Sequence, residues 1–340
     1  MNSEKGALMR AIYAVLLLTL ALAGCSSMNK QPTAVSVPGY TTLTPAATGE
    51  QLQAESTLKA ALVERSRGNN RGMIGLLAQA ATLGSPVANY ELARIYATGL
   101  NSPKESLQIP RDLAKSNLHL MAADKLGYDE ATRVLAWQYL RGSGVPTDIA
   151  RGQALMEKAA LTSVRAKREA GLLFMGFYAP DLQDKAKGVE LLHAAYQSGN
   201  AEAAYYYSTL AGASNSESVA ALTFSAQKGF PGALNIAGDQ AVKKKDYMHA
   251  SAFYMKAAMG GDPRAMYNYA NNVLLGNFAS TERELEAYAW FYLSAKFKNK
   301  QAPAELAALD GVKKMSDRRS PGRLDLLIQD TGKLIEPWAE

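Results

Sequence analysis

The sequence is poor in the residues that carry most enzyme chemistry. Its 340 residues include one cysteine, Cys25, and three histidines, His119, His193 and His249. A single cysteine excludes an intramolecular disulfide, and histidines this far apart would have to converge in space to bind a metal or to work as acid and base. No serine lies in a nucleophile-elbow context. The two glycines in YLRGSGVPTD, Gly142 and Gly144, belong to no phosphate loop. A Walker loop needs Lys and Ser or Thr at the helix start, and a dinucleotide turn needs a third glycine after a strand. Glu282, Glu284 and Glu286 stand in the polar approach to a helix, where acids favour the N-terminus. The expectation is no catalytic residue, no metal site and no cofactor. A net charge of +6 is modest for this length and does not fit a nucleic-acid-coating protein.

What is present is alanine at helical spacing. In EATRVLAWQYLR, Ala131, Leu135 and Tyr139 lie four apart. Gly142 then fits the left-handed position after a helix, Pro146 cannot extend it, and Asp148 can cap the next helix, IARGQALMEKAA. The unit is helix, turn, helix, and it recurs. A small-residue pair, a spacer, a glycine and an alanine four residues on appear around Gly84, Gly127, Gly199, Gly229 and Gly261, with Ser163 read as the missing glycine of a degenerate copy. Ala88, Leu92, Ala93, Tyr96 and Gly99 share columns with Ala131, Leu135, Ala136, Tyr139 and Gly142, and with Ala265, Tyr269, Ala270, Val273 and Gly276. Small residues there let helices approach closely while Leu and Tyr fill the groove.

The stretch Ala131 to Asp148, A-x-x-x-L-A-x-x-Y-x-x-G-x-G-V-x-x-D, followed by LMEKAA, resembles the Sel-one-like repeat, a tetratricopeptide-related helical hairpin. The resemblance covers roughly 72–302. Two departures stand out: the long loop Leu100 to Asp112, and a YYYSTLAG copy without the G-x-G-V turn. The fold expected is all-α, a right-handed α-solenoid of stacked hairpins over 51–311. A capping helix and tail follow over 312–340, with Leu324, Leu327, Ile328 and Ile335 supplying the covering stripe.

At the other end, Lys5 and Arg10 precede the apolar AIYAVLLLTLALAG, too short for a comfortable membrane span. LAGC, Leu22 to Cys25, resembles the bacterial lipobox. That resemblance implies removal of residues 1–24 and acylation of Cys25, and Ser26 in place of an aspartate implies the outer membrane, facing the periplasm. Residues 25–50, rich in Ser, Thr, Pro and Ala, read as a flexible tether.

Binding chemistry is expected where the scaffold repeats and the side chains do not. Counting from each repeat alanine, the third and sixth positions share one helical face and vary. They hold Glu91 and Arg94, Val134 and Trp137, Tyr206 and Thr209, Ile236 and Asp239, Asn268 and Asn271. Partner-binding candidates are Arg94, Trp137, Tyr206, Asp239, Asn268 and Asn271, with the two aromatics as anchors. The segment Lys296 to Arg323 is basic, as a solvated face or as a site for an acidic partner. The resemblance implies a non-catalytic scaffold for cell-envelope proteins, such as an outer-membrane porin or polysaccharide machinery, since lipidated members include the alginate-export scaffold. An enzyme or regulatory subunit of cell-wall or exopolysaccharide turnover is the alternative.

Overall fold

The structure is a computed structural model that describes residues 48–211 and 216–339. Within them are seventeen α-helices and one two-stranded sheet. Consecutive helices pair as α1 (Gly49–Ser66) with α2 (Asn70–Thr82), α3 (Pro86–Thr98) with α4 (Leu113–Lys125), α5 (Asp129–Arg141) with α6 (Ile149–Ala160), and α7 (Val164–Phe174) with α8 (Lys185–Gln197). The series continues with α9 (Ala201–Leu210) and α10 (Ser216–Gln227), α11 (Pro231–Lys243) and α12 (Tyr247–Met259), and α13 (Pro263–Leu274) and α14 (Arg283–Lys296). Each hairpin packs on the next, which is the arrangement of an all-α solenoid. Two short helices, α15 (Ala302–Ala308) and α16 (Asp310–Arg319), lead to α17 (Arg323–Gly332), which packs on α14.

The repeat columns do the packing expected of them. Ala88, Ala131, Ala136, Ala265 and Ala270 are fully buried, and Leu92, Leu135, Tyr139 and Tyr269 are buried beside them. Where helices come closest, even alanine is too large: a Cβ on Gly171 of α7 would stand 2.8 Å from Leu192 and 3.1 Å from the carbonyl of Gly188 in α8. The spaced glycines end helices. Gly142 closes α5 in the left-handed conformation, and the Asp148 side chain accepts from the Arg151 backbone to start α6. Such caps contribute about 1 kcal/mol each.

One sequence reading changes. Ser163 does not replace a repeat glycine. Its side chain accepts from the Ala166 backbone as the N-cap of α7, the role Ser85 plays for α3, so Thr162 occupies the glycine column. The physical reason is that Thr162, in the glycine column, does not take a positive φ, so no glycine is needed there. The long loop after α3 is ordered as a hairpin, β1 (Leu100–Ser102) and β2 (Leu107–Ile109), turned at Ser106, whose φ is +49. Arg71 of α2 donates to the carbonyl of Glu105 at 3.0 Å, so this insertion folds back on the first hairpin. The YYYSTLAG copy runs into residues 212–215, outside the described residues, as do the signal segment, Cys25 and most of the tether.

The C-terminal core has Trp290 and Phe291 of α14 buried against Tyr254, Met266 and Val273. Leu324 of α17 is buried, Leu327 and Ile328 are half-buried, and Ile328 and, beyond the helix end, Ile335 pack on this core.

Candidate functional site

Trp137 stands in a lattice of charges. One helical turn before it, Arg133 of α5 is held by Glu130 on its own helix at 2.6 Å and by Glu169 of α7 at 2.7 Å. The Arg133 side chain is 8 % exposed, so both acids are needed to offset its desolvation. Arg168 of α7 reaches Glu202 of α9 at 2.7 Å, extending the lattice over three hairpins. The indole N–H of Trp137 donates to Glu169, the guanidinium of Arg141 lies 4.5 Å from the indole ring centre, and Tyr178 meets it edge-on at 4.9 Å. Burial pushes the Glu169 carboxyl up, but the charge of Arg133 and the hydrogen bonds from Trp137 and Arg133 outweigh it and hold the carboxyl below its ordinary range. These residues bound a hollow of about 430 Å³.

A second, larger hollow of about 710 Å³ adjoins it, Glu202 lining both. Its walls are rings. Phe177, beside Tyr178 in the connection after α7, meets Tyr206 of α9 at 5.8 Å. Tyr206 meets Tyr205 at 5.2 Å, Tyr205 meets Phe230 at 5.1 Å, and Phe230 meets Trp338 of the C-terminal tail at 5.1 Å. Seven aromatic side chains thus follow one path from Trp137 to Trp338, as two contacting groups, Trp137 with Tyr178 and Phe177 through to Trp338, joined by the chain link between Phe177 and Tyr178. Such ring contacts, edge-on except for the tilted Tyr205–Phe230 pair, are each worth about 0.5–1.5 kcal/mol beyond their buried area. Burial, followed by the nearby charge of Glu202, pushes the Tyr206 hydroxyl up to about 12, so it stays a neutral donor. Arg264 is the cation of this hollow, fixed by Asp262 at 3.0 Å and by the Tyr205 hydroxyl at 3.3 Å.

Of the six partner-binding candidates, the structure brings two into this row, Trp137 and Tyr206. The other four line neither hollow. Arg94 lies on α3 with Glu91 at 3.2 Å, and Glu91 itself is buried and also bound by Arg65. Asp239 accepts from Tyr254 at 2.6 Å and from Asn268 at 3.2 Å, and Asn268 donates to Asn235 at 3.0 Å, which ties α11 to α13; Asn271 is half-buried on α13. The histidines do not converge: His119 bonds Asn89, His193 bonds Glu217 and His249 bonds Asp246. Among the described residues there is no group of His, Cys, Asp and Glu able to hold a metal ion.

Phe177, Tyr178, Tyr205, Phe230 and Trp338 were not foreseen. The pair Phe177 and Tyr178 carried a signal, since two aromatics directly after Gly176 fall outside the repeat columns; in the structure each is 52 % exposed. Trp338 carried none, because its neighbours lie in the turn between α12 and α13, far away in sequence.

Helical hairpins stacked in series, with buried alanine columns and left-handed glycines between them, define an all-α solenoid. Among solved structures, the chain resembles a Sel1 repeat protein from Oxalobacter formigenes, with a TM-score of 0.58 at 17% identity, covering 75% of this chain and 99% of that one. It also resembles a protective antigen of uropathogenic Escherichia coli displaying an SLR fold, with a TM-score of 0.55 at 18% identity, covering 84% of this chain and 70% of that one. The architecture is therefore Sel1-like. No protein-family model matches the chain, and no curated protein does.

Proposed function

We propose that this chain is a non-catalytic scaffold, anchored through acylated Cys25 in the outer membrane and facing the periplasm, that holds another cell-envelope protein of a polysaccharide-export or secretion-type assembly. The observation that carries this reading is the row of seven aromatics from Trp137 to Trp338, with Phe177 and Tyr178 each half exposed in its middle. Exposed rings fixed by their neighbours lose little entropy on binding, and aromatic and arginine side chains dominate binding hot spots. Arg141 and Arg264 beside the row supply the polar orientation that a protein partner needs. The lipobox-like LAGC supports the anchor, and the Ser, Thr and Pro-rich tether supports reach from the bilayer.

The test replaces Trp137 and Tyr206 together by alanine and measures retention of envelope proteins on the purified chain. Capture of the partner should weaken by about 2 kcal/mol, roughly 30-fold. Because Trp137 also bonds Glu169, the melting temperature is read on the same sample, and Trp137→Phe, which keeps the ring and drops the N–H, separates the two roles. A folded double variant that captures its partner at full strength removes the groove reading. For the anchor, Cys25→Ser should abolish lipid labelling and leave an unprocessed precursor; normal processing would contradict it.

A further inference from the structure

The last residues of the chain do not end as a helical cap. After α17 the chain runs on from Ile335 without helix or strand and crosses the turn between α12 and α13. The backbone N–H of Glu336 donates to the carbonyl of Met259 at 2.8 Å, and that of Trp338 to the carbonyl of Gly260 at 3.0 Å. Two alternate residues of the tail thus donate to two consecutive carbonyls left over where α12 ends, which satisfies orphan acceptors of that helix terminus. Pro337, between the two donors, has no N–H to leave unmet, and its fixed φ favours an extended backbone there. It lies against Gly261, where a Cβ would stand 3.5 Å from the Pro337 Cα. The Trp338 indole then meets Phe230 at 90° and closes one end of the aromatic row, while the rest of the hollow, toward Tyr206 and Phe177, continues beyond it.

We propose that this groove is a binding site for an extended peptide segment that donates two alternate backbone N–H groups to Met259 and Gly260 and seats an aromatic side chain on Phe230. Residues Glu336–Trp338 are its intramolecular occupant. The inference rests on the aromatic row being a partner surface, and it names the chemistry of the partner: an extended strand of the type x-Pro-aromatic, which enters by displacing the tail. Occupation by the tail lowers the apparent affinity for any such segment by the fraction of time the site is open. A tether this short gives the tail an effective concentration of the order of millimolar.

The test uses the full chain and a fluorescein-labelled peptide, LIEPWAE, which copies residues 334–340. Anisotropy should show binding at least about tenfold tighter to the Trp338→Ala chain than to the unaltered one, since only the variant leaves the ring position vacant. The same peptide with alanine for its tryptophan should not bind, and adding Phe230→Ala to the variant should abolish binding. Equal affinity for both chains, or no binding to a Trp338→Ala chain that melts normally, overturns the proposal. Should Trp338→Ala unfold, Glu336→Pro removes one backbone donor and opens the site by a different route; failure of the peptide there overturns it as well. If the peptide fails while the Trp137 and Tyr206 double variant still loses its envelope partner, this inference falls alone. If the peptide binds and partner capture is indifferent to the double variant, the proposed function falls alone.

Discussion

The two ends of the aromatic row are built from different forces. Around Trp137, three hairpins are joined by side-chain charges: Arg133 between Glu130 and Glu169, and Arg168 with Glu202. Around Trp338, rings meet rings tilted or edge-on, the tail is held by backbone hydrogen bonds, and Arg264 is paired within the α12–α13 turn and α13. The hairpins underneath use the same buried columns, Ala131 and Ala136 at one end and Ala265 and Ala270 at the other. A solenoid can therefore keep its neighbour contacts constant and exchange only the side chains of one face. The charged end should respond to pH and salt, and the aromatic end to changes of shape.

The largest effect comes from breaking the shared columns. Ala136→Glu at one end and Ala270→Glu at the other each place an unpaired charge between packed helices, at several kcal/mol. Amide exchange should rise first around the altered hairpin and leave the other end protected. A uniform rise in both variants would mean one cooperative core and would dissolve the comparison.

Next is Arg133→Met, which removes the buried cation between Glu130 and Glu169 and leaves them the more exposed Arg165, 3.2 Å from Glu169 and 3.8 Å from Glu130. The cost should be about 3 kcal/mol by denaturant unfolding, with part of it recovered when Glu169→Gln is added. No gain from the second change would show that the arginine acts through packing alone.

The smallest effects sharpen the contrast by pH. The Glu169 carboxyl is held below its ordinary value, so its contribution is present above about 4.5 and is lost as pH falls through the folded value. Glu286 of α14, which bonds Tyr269 at 3.1 Å, has the opposite sign. Burial pushes its carboxyl up, against the hydrogen bonds from Ser280 and Tyr269, with the charge of Glu282 adding to the rise. Its contribution is present below its ordinary value and is lost as pH rises through the folded value. Acidification from pH 7 should first raise exchange protection around Glu286 and then, below about 4.5, lower it around Glu169. The same sign at both sites would contradict the assignment.

The fold was legible because its rules are local. Gly84, Gly127, Gly199, Gly229 and Gly261 recur in the sequence, and each takes a φ between +80 and +91, which explains why glycine marks the repeat. Ser163 shows the limit of that signal, since a cap hydroxyl one residue on was taken for the missing turn. The site was half legible. Trp137 and Tyr206 lie on columns that periodicity identifies, whereas Asp239 and Asn268 occupy the same columns and serve to join helices. Which varying residue faces an open hollow depends on what the next hairpin and the tail bring to it, and no spacing in the chain encodes that Trp338 meets Phe230.

The most direct measurement places a photo-crosslinking amino acid at Phe177, in the middle of the row, in living cells, and separately at Leu118, an apolar residue of α4 that is 63 % exposed and outside the row. The account predicts a discrete adduct with one envelope protein from position 177, diminished by Tyr206→Ala, and none from position 118. Equal adducts from both positions, or none from 177 while the chain remains bound to its partner, would contradict it.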